Sequence, residues 1–484
     1  MGVEIFVVTG SGQGHLNPCM ELCKHLTSRN YHTTLVAPSI VSSAIPFSFT
    51  QNPCTSTVHV AGSSGPPVPG QDPMRQQASQ DLETHLASRL SKESTHPLCA
   101  IIDFQMSWSK EVFWKFNIPV VGFFTFGACA AAMEWGAWKV QAADIKPGEL
   151  RIISGLPEEM AFEHLDLKRR PEGPPPGGFQ LGGPHAAGSN RPTRRGGAPK
   201  PGDRPPWVPE IEGSVALMFN TCDDLERTFI DYMSNQMGLP AWGVGPLLPE
   251  EYWISSSSES LIRDRQIREH KRQSNYREEH VIQWLDAKPR GSVLYVAFGS
   301  EVGPSKDEYP QLASALEEST RPFIWVIQSG SGIPGSTKEV YFPDGLDRKV
   351  GERGLIICGW GPQLLILSHP STGGFLSHCG WNSTVEAIGL GVPLLAWPFR
   401  GDQYYNAKWL IKHLKVGHRV CEDSSQMVTK DDISRGIEVI MEDEEIKKKA
   451  GALRGKLAHG FPQSSEDALD AFEHFISQSK VLHK

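Results

Sequence analysis

The chain has no run of about 18 consecutive apolar residues, the least that carries a helix across a bilayer, so no membrane span is expected. Its opening stretch, Met-Gly-Val-Glu-Ile-Phe-Val-Val-Thr-Gly, lacks a basic leader and passes straight into a strand-like run, so it does not read as a signal peptide. The nine cysteines form no Cys-x-x-Cys pair, and Cys99, Cys129 and Cys358 sit in apolar runs. That suits reduced, buried thiols in a cytoplasmic protein and excludes a disulfide framework. His, Cys, Asp and Glu nowhere cluster at metal-ligand spacing. Excess positive charge is missing too: 47 Lys and Arg against 55 Asp and Glu leave a formal charge of −8, which argues against nucleic acid as a partner. Gly10-Ser-Gly12-Gln-Gly14 follows a strand, but His15 stands where a dinucleotide fingerprint needs its last glycine. The ribose-binding acid expected about 20 residues on is absent as well. A nicotinamide cofactor is therefore excluded, and no other is expected.

What is present begins with length. At 484 residues, 39% of them hydrophobic, the chain is long enough for two domains with separate cores. Val3 to Val8, Tyr31 to Val36, Ala100 to Asp103 and Pro119 to Phe124 read as strands, and a glycine-rich turn leads to a helix from about Leu16. A second series follows at Ser292 to Phe298, Phe323 to Ile327, Leu355 to Cys358 and Val392 to Trp397. Strands alternating with helices imply parallel sheets covered on both faces. The expected division is a first domain over 1–246, a linker over 247–280, a second domain over 281–460 and a terminal segment over 461–484. In that last segment Leu469, Phe472, Phe475 and Ile476 recur at helical spacing. Two α/β halves suggest ligands bound in a cleft between them. The Pro/Gly/Arg-rich stretch over 165–209 suits neither ladder nor helix. It reads as a solvated loop, or alternatively as a flexible lid over an acceptor site.

The densest pattern runs for 44 residues from Trp360 to Gln403. Gly373 to Leu376 reads as a short strand, His378 to Ser383 as a tight turn, and Thr384 to Leu390 as a helix. Backbone N–H groups and the positive dipole end at Asn382 and Ser383 would suit a diphosphate, with His378 adding a hydrogen bond. Glu386 would accept from a ribose diol, Trp360 would stack on a flat base, and Asp402 and Gln403 would meet sugar hydroxyls. Transfer of a sugar to an acceptor hydroxyl also needs a base. His15 after the first strand and Asp103 at the end of another fall at one edge of a parallel sheet, a base with a carboxylate to hold it.

The 44-residue stretch resembles the donor box of the plant UDP-dependent glycosyltransferases, which spans the same number of positions from Trp to Gln. The Gln-Gly-His-Leu-Asn-Pro turn, Trp284-Leu285-Asp286, Tyr-Val-Ala-Phe-Gly-Ser and Arg321-Pro322-Phe323-Ile324-Trp325 extend the resemblance over most of the chain. It implies a GT-B fold, two Rossmann-like doubly wound domains facing across a cleft, with the C-terminal helix returning to the first. It implies Trp360 on uracil, the Gly361 backbone at the uracil edge, and Gln363 with Glu386 on the ribose. Ser300, His378, Asn382 and Ser383 would bind phosphate. Trp381, Asp402 and Gln403 would hold the sugar, Gln403 favouring glucose over galactose. Gly361 departs from the family's usual alanine. His15 and Asp103 match the family's catalytic pair. The expected reaction is inverting transfer of glucose from UDP-glucose to a small, apolar, phenolic or flavonoid-like acceptor, with UDP leaving as a dianion. Phe104, Phe124 and Trp135 are candidate acceptor contacts, the attachment atom is open between oxygen and carbon, and a monomer is expected. An epimerase on the same fold and a UDP-sugar-binding protein without turnover are the competing readings.

Overall fold

The computed structural model describes residues 3–61, 73–92, 96–170, 200–253, 261–262, 274–299, 302–328, 343 and 345–479. They fall into two compact units. The first comprises Met1–Ala132, Arg204–Glu250 and Phe461–Lys484, the second Met133–Asp203 and Glu251–Gly460.

In the first unit seven strands form one parallel sheet. They are β1 (Glu4–Val8), β2 (His32–Pro38), β3 (Thr55–Val60), β4 (Cys99–Asp103), β5 (Val120–Phe124), β6 (Ala216–Phe219) and β7 (Ala241–Gly243). Their order is β3-β2-β1-β4-β5-β6-β7. β1, β4 and β5 are buried at every residue; their apolar runs, broken only by Glu4 and Asp103 at two ends, are covered on both faces. The faces divide by alternation. Ile5 and Val7 pack with Leu16, Leu22 and Leu26 of the helix Gln13–Ser28 and with Leu469, Phe472 and Ile476 of the helix Gln463–Ser479. Phe6 and Val8 face Leu82, Leu86 and Phe113 on the other side. The terminal helix is held further by Trp242 against Phe472 and Phe475, and by Arg29 paired with Glu466 and Glu473.

A buried acid of this unit caps the helix that begins at Ala128. The Glu226 carboxylate accepts the N–H groups of Ala128 (2.8 Å) and Cys129 (3.0 Å) where the helix Ala128–Lys139 begins. Burial pushes its carboxyl from 4.5 up to about 7, although Thr221 and those two N–H groups pull the other way. An acid whose folded value lies above its unfolded one stabilises the fold relative to its ionised state below pH 4.5, and that contribution is lost as pH rises through about 7. Urea midpoints of the wild type should therefore fall across this window relative to those of Glu226→Gln. Parallel midpoint curves for the two proteins would contradict the assignment.

The second unit repeats the plan with β8 (Val293–Ala297), β9 (Phe323–Ile327), β10 (Gly354–Cys358), β11 (Thr372–Ser377), β12 (Leu394–Ala396) and β13 (Gly417–Arg419). The order is β10-β9-β8-β11-β12-β13, again all parallel. Each sheet thus runs outward from its first strand and then returns to that strand's other side, the doubly wound order of a Rossmann unit. In such sheets ligands bind beyond the strand ends where the order reverses. That point lies between β1 and β4 in one unit and between β8 and β11 in the other.

Three differences from the sequence reading matter. The first and the box helices begin at Gln13 and Trp381, three residues before the apolar pattern starts, because Gly12 and Gly380 serve as extended N-caps with no side-chain bond. Residues 133–170 and 200–203 group with the second unit rather than with a domain over 1–246. Lys408 holds Asp166 and the Ala161 carbonyl, His413 holds Glu159, and Phe162 packs on Tyr405. The ends of the Pro/Gly/Arg-rich stretch are also ordered into turns of helix at His164–Leu167 and Val208–Ile211, while 171–199 lie outside the described residues. No helix among the described residues is long and apolar enough to cross a membrane.

Candidate active site

At the β1/β4 reversal, His15 occupies the first turn of the helix Gln13–Ser28 and Asp103 ends β4. The His15 Nδ1 lies 2.7 Å from Asp103 Oδ2. Asp103 is fully buried and accepts two backbone N–H groups besides, Gly10 on Oδ2 (3.1 Å) and Gln105 on Oδ1 (3.1 Å). Three donors on a buried carboxylate fix its position. They also fix the imidazole tautomer: Nδ1–H donates to Asp103, and Nε2 is the basic nitrogen. Gly10 makes the approach feasible, since a Cβ there would stand 2.9 Å from Asp103 Oδ2 and 3.3 Å from the His15 ring. The His15 side chain keeps 21% of its surface exposed.

At the corresponding reversal in the second unit, β11 passes through His378-Cys379-Gly380 into the helix Trp381–Gly389. Cys379 adopts a left-handed φ of 60°, held by its N–H on Ser377 Oγ (3.1 Å) and by Asn406 Nδ2 on its carbonyl (2.9 Å). The first intrahelical bond runs from Thr384 N to Gly380 O, so the N–H groups of Trp381, Asn382 and Ser383 come before the helical ladder begins. They form the dipole end suited to an anion. The His378 ring lies between two glycines; added Cβ atoms at Gly380 and Gly299 would stand 2.4 and 3.0 Å from it. Its Nδ1 is buried without a hydrogen-bond partner among the described residues. Burial, then the charge of Arg400, pushes its imidazole down to about 4, so at neutral pH the ring is uncharged.

One turn further along the same helix, Glu386 is 1% exposed. Gln363, the first residue of the helix Gln363–Ser368, donates Nε2 to Glu386 Oε2 (2.6 Å) and to Ser383 Oγ (3.1 Å), and accepts from the Tyr295 hydroxyl (3.3 Å). Two helices thus bring a carboxylate, an amide and a hydroxyl together beside the His378–Gly380 turn. Trp360 precedes Gln363 and is partly exposed. Gly361 has a local reason for departing from alanine: a Cβ would stand 2.5 Å from Val326 Cγ2.

Comparison with known proteins accords with this geometry. The family described as UDP-glucoronosyl and UDP-glucosyl transferase matches residues 269–465. UDP-glycosyltransferase 73C9 of Barbarea vulgaris is 31% identical, the match covering 83% of this chain and 73% of that one. UDP-glycosyltransferase 73C5 of Arabidopsis thaliana is 32% identical, covering 78% and 69%. The chain belongs to the plant UDP-glycosyltransferases. Its fold is GT-B. A Polygonum tinctorium UDP-glucosyltransferase capable of glucosylating indoxyl, solved with 3,4-dichloroaniline, superposes with a TM-score of 0.71 at 25% identity over 99% of both chains. The Medicago truncatula enzyme UGT71G1, solved with UDP-glucose, gives 0.72 at 22% identity over 98% of both.

Within this UDP-glycosyltransferase some candidate residues take other positions than their type suggests. Trp381 is 4% exposed, with its ring against Trp409; its backbone N–H, not its indole face, is what the helix start presents. Asp402 accepts from Asn406 Nδ2 (2.8 Å), and Gln403 Oε1 accepts from the Phe399 (2.9 Å) and Arg400 (3.2 Å) N–H groups, so both knit the turn after β12. Ser300 lies outside the described residues. Of the aromatic trio, Phe104 stacks on Phe124 with ring centroids 5.4 Å apart, and Phe124 is itself fully buried and stacked on Phe219; Trp135 belongs to the second unit, against Trp138. Phe104 does retain exposed surface, and so does Phe126, 5.6 Å away. The sequence reading missed Phe126, Tyr295 and Thr125, whose hydroxyl lies 3.1 Å from His15 Nδ1. Thr125 and Phe126 directly follow β5, the neighbour of β4, so the argument that found Asp103 could have found them.

Proposed function

We propose that this enzyme transfers glucose from UDP-glucose to a small, flat, apolar acceptor of phenolic or flavonoid type, with inversion at the anomeric carbon, as a cytoplasmic monomer. The observation that carries the reading is the 2.7 Å His15–Asp103 pair. His15 Nε2 takes the proton of the acceptor as its nucleophilic atom attacks the anomeric carbon, and Asp103 stabilises the imidazolium that forms. The bond from that carbon to the diphosphate breaks in the same displacement. UDP leaves as a dianion received by the N–H groups of Trp381, Asn382 and Ser383 and by neutral His378. Gln363 and Glu386 hold the ribose, Trp360 stacks on the uracil, and Asp402 and Gln403 meet the hexose. An exposed aromatic edge at Phe104 and Phe126 supports a flat acceptor.

Release of UDP from UDP-glucose should require an acceptor from a phenolic panel. Sugar conversion without acceptor would mean an epimerase, and UDP binding without turnover a binding protein. In direct competition, kcat/KM should favour UDP-glucose over UDP-galactose. The reverse ratio would sink the donor assignment.

A further inference from the structure

Gln403 does not hold the turn after β12 alone. Phe399 is gripped at three points: its N–H donates to Gln403 Oε1 (2.9 Å), its carbonyl accepts from the Tyr404 hydroxyl (2.9 Å), and the Arg170 guanidinium lies 5.1 Å from its ring centroid. The Arg170 backbone N–H donates in turn to the Tyr404 hydroxyl (3.2 Å). One residue from outside the donor box thus reaches the turn by both its backbone and its side chain.

Arg170 is itself anchored. Its guanidinium donates through two nitrogens to Glu308, 2.6 Å on the Oε2 side, in the planar fork that only arginine supplies. Glu308 is 1% exposed and also accepts the N–H groups of Ser305 (2.9 Å) and Val428 (3.0 Å). Burial alone would raise its carboxyl, but the Arg170 bonds and charge with those N–H groups outweigh it and hold it below the usual range. A buried ion pair adds little net stability over an apolar pair of equal volume. This one does define a geometry: a fixed carboxylate aims a guanidinium across Trp397 and Phe399, the two aromatics that flank Pro398 on the way to Gln403.

We propose that Arg170, buttressed by Glu308, is a positioning residue that sets the Phe399–Gln403 turn and through it the enzyme's discrimination between hexoses of the donor. This rests on the reading that Gln403 meets the hexose. The uridine end is held by other elements, Trp360, Gln363 and Glu386, and the proposal leaves it untouched.

The test uses the full chain in two variants. Arg170→Lys keeps the charge and loses the fork. The double variant Arg170→Met with Glu308→Gln removes both charges at similar volume, so no charge is buried unpaired. UDP affinity by calorimetry should stay within about twofold of wild type, while the UDP-glucose over UDP-galactose ratio of kcat/KM falls about tenfold, roughly one good hydrogen bond's worth of discrimination. Gln403→Ala is measured alongside. If it loses discrimination and both Arg170 variants keep it, the proposal is wrong and the Gln403 reading stands. If Gln403→Ala also keeps it, the underlying reading has failed and the proposal with it. Loss of UDP affinity in step with selectivity in Arg170→Lys would show a general structural role and overturn the proposal too.

Discussion

His15→Ala should lower turnover by about a hundred- to ten-thousandfold while UDP affinity stays near that of the wild type. The substitution removes the imidazole that Asp103 holds, and Asp103 itself is fully buried. The effect belongs in kcat because proton removal accompanies attack in the transition state and contributes little to ground-state binding. UDP affinity is the control, since every group assigned to UDP lies in the second unit. Steady-state kinetics on a hydroxyl acceptor together with a UDP titration decide it; turnover within tenfold of wild type would remove His15 from its role. A strongly acidic phenol would show a smaller loss, because it is already partly ionised.

Glu386→Ala should weaken UDP binding by about ten- to hundredfold, the equivalent of a charge-assisted hydrogen bond at roughly 1.5–3 kcal/mol. Glu386 is 1% exposed and accepts from Gln363 at 2.6 Å, so truncation removes an acceptor for the ribose and also releases the amide that shares the site. The isosteric replacement Glu386→Gln keeps the volume and one carbonyl oxygen, and its affinity should fall between those of the wild type and the Ala variant. Acceptor affinity should not change. A folded Ala variant that binds UDP as tightly as wild type would make Glu386 a packing residue and require the ribose site to be rebuilt.

The fold class is readable because strand and helix periods are local. Glu4–Val8, Cys99–Asp103 and Phe323–Ile327 are short apolar runs whose length and flanks admit little else. The His15–Asp103 contact spans 88 residues of sequence, yet the parallel-strand rule already sets both at one sheet edge, where they meet. The helix starts at Gln13 and Trp381 escape the sequence reading because glycine caps through backbone conformation alone, a signal that apolar spacing does not contain. The difference bears on the site: Trp381, Asn382 and Ser383 form the first turn of a helix rather than a loop before one, and that is why their N–H groups point outward together.

By itself, the sequence determined the two α/β series, the donor box with its regular spacings, and the residue types able to move a proton and receive a diphosphate. Those are properties of neighbours along the chain, where helix and strand geometry leaves little freedom. Only the tertiary structure decided which side chains keep exposed surface and which pack into the core. Trp381 and Phe124 look like ligand-stacking residues by type, yet packing buries one on Trp409 and the other on Phe219. It also decided that residues 133–170 join the second unit, and that Arg170 and Glu308, 138 positions apart, pair. Such pairings depend on how whole layers of side chains fit, and no period along the chain encodes that fit.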